Sequence, residues 1–420
     1  MPCIGVQSPP AAWSSSSSPD WPSIESSSKT KDAVAADGSQ SDQIPAGFAH
    51  DQFSSGPSAS TTALLAGLSW LDRLLAPFVL LAMIIGVVIG KFAKNVEVVL
   101  QGASLNGVSI PIVVGLLVMM WPILTKVQYE RLPQMLRKGH IWRQVTLSII
   151  LNWIVGPFIM LAVAWATLPD LPTYRTGVIM VGLARCIAMV MIWNQLAQGD
   201  TDYCAILVII NSVLQIILYS PMSLFFVNVI SHEDSLALQY GQTALAVLIY
   251  LGIPLVAGVI TRFSVIVLIG KSRFENVFLT YFGPLALLGL LYTVVLICAE
   301  QATRILDNIG QVFRVFVPMI LYFIVMWTGT FFLVFYLTRR PGGSEKYGYQ
   351  MAVVQAFTAG SNNFELAIAV CVAIYGVNSD QALAATIGPL VEVPVLLALT
   401  YLSLYFRNKL DWRHSEEPIV

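Results

Sequence analysis

Charged residues are scarce in this 420-residue chain: Asp, Glu, Lys and Arg together make up 11% of it, against 56% hydrophobic residues. Soluble domains carry about 25% charged residues. With a mean hydropathy of +0.72, the shortage excludes an ordinary soluble domain and leaves a polytopic membrane protein. The formal net charge is −1 and the basic residues lie in short scattered clusters, so no nucleic-acid partner is expected. The histidines, His50, His140, His232 and His414, fall in tails or loops, which excludes a His relay across the membrane. Cys3, Cys186, Cys204, Cys298 and Cys371 are widely spaced, with no CxxC pair and no His at ligand spacing. Neither a disulfide framework nor a metal site nor a cofactor is expected.

Two look-alike motifs also fail. "LIGKS" (268–272) has Val265 where a phosphate-binding loop needs its first Gly, so no nucleotide site is indicated. "AQGD" (197–200) resembles an intramembrane aspartyl protease motif, but Ala197 replaces its first Gly and no second Asp lies within a span. Such proteolysis needs paired carboxylates.

Residues 1–68 are Ser-rich, contain "SSSSS", and offer little apolar surface to offset ordering entropy. They read as a disordered cytosolic tail, without the pattern of a signal peptide or a myristoylation site. From Leu74 onward, apolar runs long enough to cross about 30 Å of hydrocarbon recur. They predict ten spans, at 74–93, 108–125, 144–168, 176–197, 203–230, 242–261, 280–299, 312–337, 350–375 and 383–406, with "SVIVLIG" (264–270) too short for another. Most Lys and Arg, among them Lys126, Arg143, Arg262, Lys271, Arg339 and Arg407, fall on the side of the chain termini, which places both termini in the cytosol.

"ARCIAMVMIWNQLAQGDTD" leads from span 4 into span 5, and "NNFELAIAVCVAIYGVNSD" leads from span 9 into span 10. That correspondence is what a five-plus-five inverted repeat leaves behind. The organisation expected is a tail (1–68), a first five-helix repeat (69–234), a second (235–410) and a cytosolic C-terminal tail (411–420).

Arg185, Glu365 and Glu392 are the ionisable residues, Cys and Tyr aside, that lie deep in the predicted spans. Each charged group at mid-membrane costs roughly 2.5–3.5 kcal/mol, so each is a functional candidate. Bland readings stand beside each. Arg185 and Glu365 fit a buried structural ion pair. Glu392, between Pro389 and Pro394, fits either a protonated carboxyl bonded to a carbonyl or a direct ligand. Asn362 and Asn363 fit interhelical hydrogen-bonding glue, although their place after Ala359, Gly360 and Ser361 better suits a helix that breaks. Cys186 fits a small hydrophobe, but the neighbouring Arg185 and a broken helix would favour a thiolate there. The other cysteines read as inert.

The stretches "SIPIVVGLLVMMWPILTKVQYE" (109–130), "GLARCIAMVMIWNQLAQGD" (182–200), "GPLALLGLLYT" (283–293), "SNNFELAIAV" (361–370) and "QALAATIGPLVEVPVLLALTYL" (381–402) resemble the ten-span arsenite efflux permeases, the arsenical-resistance transporter family of the bile acid/sodium symporter superfamily. The resemblance covers about 74–410. It implies an all-α membrane fold with a panel domain (spans 1, 2, 6 and 7) and a core domain (spans 3–5 and 8–10), in which spans 4 and 9 unwind where they cross. It also implies that Cys186 and Glu365 are the essential thiol and acid, with a substrate site of Cys186, Glu365, Asn362 and Asn363 supported by Arg185 and Glu392. A thiolate selects trivalent arsenic over harder anions. The implied protein is a secondary active transporter, not an enzyme, and the Ser-rich tail without a cleavable signal points to the plasma membrane. It exports arsenite, with antimonite a further candidate, and Glu365 carries the coupled proton. A sodium-coupled organic-anion symporter on the same fold is the alternative, and Cys186 discriminates against it because a sodium site needs no thiol.

Overall fold

The computed structural model describes residues 74–93, 104–105, 108–131, 139, 141–187, 189–231, 238–343 and 346–412. The expected N-terminal tail with Cys3, and the residues after 412, lie outside the described residues. The described residues are almost wholly helical: α1 (Leu75–Phe92), α2 (Ile110–Lys126), α3 (Ile141–Thr167), α4 (Pro172–Leu183), α5 (Met189–Leu196), α6 (Thr201–Ile230), α7 (Tyr240–Ile269), α8 (Lys271–Glu300), α9 (Ala302–Asp307), α10 (Ile309–Thr338), α11 (Tyr349–Gly360), α12 (Phe364–Tyr375) and α13 (Asp380–Lys409). The one described sheet is a two-stranded hairpin of β1 (Ser104–Leu105) and β2 (Val108–Ser109), ahead of α2.

Six of these helices, α3, α6, α7, α8, α10 and α13, are long and apolar enough to cross a membrane. Only a helix satisfies its own backbone in hydrocarbon, so apolar runs of this length take that form. The predicted spans 4 and 9 are each split in two, α4 with α5 and α11 with α12.

The helices pack in two groups. In one, α8 lies against α1 and α2, and α2 lies against α7. In the other, α10 and α13 pack on α11, on α4 and α12, and on α3. Small residues allow close approach in the first group: "GVVIG" (86–90) turns Gly86 and Gly90 onto α8, where a Cβ would come within 2.5 Å of Val295 O and 2.1 Å of Ala299 O respectively.

One boundary differs from expectation. The sixth span, predicted to end before Arg262, continues as α7 to Ile269, so "SVIVLIG" forms its last turns. The arginine does not end the helix because it is fully buried and neutralised. Its Nε and Nη2 reach Glu130 Oε2 and Oε1 at 2.8 and 2.5 Å. That pair holds the Glu130 carboxyl down at about 2, first through the hydrogen bond from Arg262.

Candidate functional site

The interrupted helices meet where they are interrupted. Residues 184–187 are extended after α4, residues 361–363 are extended after α11, and Arg185 pairs with Asn362 as an isolated antiparallel bridge. Each break leaves helix-end groups unpaired inside the protein, and the Asn pair supplies them. Asn362 Nδ2 donates to Val181 O and Ala184 O, at 3.0 and 3.1 Å, closing the carbonyl end of α4. The Asn363 N–H donates to Ala184 O at 3.0 Å. The Asn363 side chain caps α12 by accepting from the Leu366 N–H at 3.0 Å. The amides are therefore more than glue between intact helices: they make the break satisfiable.

Two half-helix N-termini, with their exposed N–H groups and positive dipole ends, start at the crossing. Glu365 lies in the first turn of α12. Cys186, 3% exposed, precedes α5, and its Sγ accepts from the Val190 N–H at 3.3 Å. The other described thiols, Cys204, Cys298 and Cys371, are fully buried; Cys204 Sγ lies 4.0 Å from Val190 O.

Arg185 is fully buried, and the expected ion pair with Glu365 is not among the described salt bridges. Its Nη1 instead donates to the Tyr322 hydroxyl of α10 at 2.9 Å, which donates onward to Ala359 O at 3.2 Å. Gly156 on α3 makes room for this pair, since a Cβ there would lie 2.9 Å from Arg185 Nη1. Glu392 is also buried. Its carboxyl faces the Asn362 backbone and lies near Glu365, and its Oε1 has no partner.

A cavity of about 510 Å³ reaches the site between the two packing groups. Met119 and Lys126 of α2 and Leu287 of α8 line one wall; Ile187, Met189 of α5 and Glu365 line the other. Lys126 and Glu365 are the ionisable lining residues, Lys126 exposed and Glu365 half-buried. Away from the Lys126 side, Arg304 Nε on α9 meets Asp380 Oδ1 at 3.3 Å, Thr173 donates to Asp380 Oδ2 at 2.7 Å, and Gln301 donates to Val377 O.

The structure thus joins Arg185, Asn362, Asn363 and Glu392 through one backbone crossing, with Cys186 adjacent to it and Glu365 between it and the cavity. Tyr322 and Gln215, which holds the Arg185 N–H at 3.0 Å, were not anticipated. Gln215 had a signal: Asn211, Gln215 and Tyr219 are polar at four-residue spacing along α6.

Broken helices that cross inside an apolar bundle, with a carboxylate facing a cavity between two packing groups, define a membrane transporter. The family model described as the Sodium Bile acid symporter family matches residues 113–308. The chain is 40% identical over 358 residues to the arsenical-resistance protein Acr3 of Corynebacterium glutamicum, covering 84% of this chain and 94% of that protein. It is 29% identical over 347 residues to the arsenical-resistance protein Acr3 of Alkaliphilus metalliredigens, covering 80% and 93%. An uncharacterised transporter of Synechocystis is 32% identical over 358 residues, covering 80% and 90%. The chain belongs to the arsenical-resistance transporter family of the bile acid/sodium symporter superfamily.

Proposed function

We propose that this protein exports trivalent arsenic from the cytosol in exchange for protons, by alternating access. The observation that carries this reading is the pairing of unlike donors at one crossing: a thiol before α5 and a carboxylate in the first turn of α12. Trivalent arsenic is thiophilic, so Cys186 selects it. A single thiolate with the oxygen donors of Asn362, Asn363 and Glu365 around it allows exchange, where a three-thiolate cage would retain the cargo. Arsenous acid is mostly neutral near pH 7, so uphill export needs a coupled ion. Glu365 takes a proton from outside and releases it to the cytosol, and substrate and proton compete for the site.

The ten spans form two inverted five-helix repeats, and the core group (α3–α6 and α10–α13) rocks against the panel group (α1, α2, α7 and α8). The cavity beside Lys126 is the cytosolic access, which agrees with cytosolic termini in the plasma membrane. The contacts of Gln301 with Val377 and of Arg304 with Asp380 close the opposite side and break when the core turns outward. Antimonite, also a soft trivalent hydroxide, is a second substrate.

Arsenite uptake into everted vesicles tests this. An acid-inside gradient drives uptake if the reading is right. Uptake that follows sodium instead, or that persists in full in Cys186→Ser, supports the sodium-coupled organic-anion symporter suggested by the superfamily.

A further inference from the structure

The two strands of the crossing face polar side chains at matching positions. The Arg185 N–H donates to Gln215 Oε1, 30 residues downstream on α6, at 3.0 Å. Its bridge partner Asn362 faces Glu392, likewise 30 positions downstream, on α13. Gln215 is fully buried and its Nε2 has no partner. It is the middle rung of a ladder on α6: Asn211 Oδ1 accepts from Trp153 Nε1 at 3.1 Å, and the Tyr219 hydroxyl donates to Met180 O at 3.0 Å. A half-satisfied amide in an apolar helix is unfavourable in itself. What it provides is an acceptor for a backbone N–H that the broken helix leaves without one.

We propose that Gln215 is the positioning residue for Cys186. By holding the N–H of residue 185 it fixes the extended strand, and so sets where the thiol of the next residue sits at the start of α5. Unlike Glu392, the amide does not titrate, so the thiol side of the crossing stays in place while the acidic side exchanges its proton. The inference rests on Cys186 being the arsenic ligand only for its transport consequence, not for the geometry.

The test uses full-length protein in which Cys186 is the sole cysteine, with Gln215 changed to Leu or Glu. Two readouts are taken: arsenite transport in vesicles, and the alkylation rate of Cys186 by N-ethylmaleimide. Gln215→Leu should raise KM about tenfold with kcat changed less than about twofold, as loss of one ground-state contact requires. It should also change the alkylation rate at least about threefold. Gln215→Glu, which keeps the acceptor, should restore both. If the Leu variant does not accumulate, Gln215→Asn, shorter by one methylene, carries the same readings. Parent-like KM and alkylation in the Leu or Asn variant overturns the proposal, as does a folded Glu variant that restores neither. A parent protein whose alkylation depends on Gln215 but which moves no arsenite overturns the arsenic reading and supports the positioning role.

Discussion

The strands 184–187 and 361–363 pair with each other, yet they are built from opposite materials. The second is made of residues that suit a break: Gly360 and Ser361 are small, and Asn362 and Asn363 bring their own hydrogen bonds to both helix ends. The first has no Gly, Pro or amide between Ala184 and Ile187. Its orphaned groups are satisfied from elsewhere, by Asn362 across the crossing and Gln215 on α6. One strand carries its means of unwinding and the other borrows it. The chemistry divides the same way, with the soft donor on the borrowing strand and the hard donors on the self-sufficient one.

Removing the carboxylate function should have the largest effect. Glu365→Gln should lower the initial rate of gradient-driven arsenite uptake about a hundredfold or more, the scale at which an essential proton carrier is felt. A variant with more than a tenth of the parent rate would place the coupling proton on another group.

The asymmetry predicts unequal losses from the two neighbouring amides. Asn362→Ala removes both bonds donated to Val181 O and Ala184 O at the end of α4 and should lower stability by about 2–3 kcal/mol. Asn363→Ala removes one helix cap, worth about 1 kcal/mol, and Asn363→Asp should recover it. Thermal midpoints in detergent give the order; equal midpoints for the two alanine variants would mean that the strands do not lean on Asn362.

The smallest effect lies far from the crossing and serves as the contrast. Glu130, paired with Arg262, has its carboxyl held at about 2 against an ordinary 4.5. A depressed carboxyl stabilises the fold above its unfolded value and loses that contribution as pH falls from about 4.5 towards 2. Thermal midpoints measured down this window should fall in the parent and fall less steeply in Glu130→Gln. Parallel curves would remove the pair from the stability of the α2–α7 contact.

Legibility followed the same division. Small residues, two amides and a carboxylate in a greasy run marked 359–365 as a break from residue types alone. At 184–188 the helical pattern runs on through Met189, and only the resemblance to arsenite permeases pointed to an unwound segment there. The groups that open it, Asn362 and Gln215, lie 178 and 30 residues away. Arg185 was recognised as buried, but its partner was not, because a Tyr322 hydroxyl in a long apolar helix looks like any interfacial tyrosine. Arg262 misled in the other direction: a charge that ends a span on paper is a buried arginine inside α7, paired with Glu130 just after α2.

The most direct test is arsenite flux into proteoliposomes with an imposed pH gradient and no sodium, comparing parent and Cys186→Ser protein. Proton antiport through the crossing predicts rapid uptake into acid-inside vesicles that collapses with a protonophore and is absent in the serine variant. Uptake that is indifferent to the gradient, or equal in the two proteins, would contradict it.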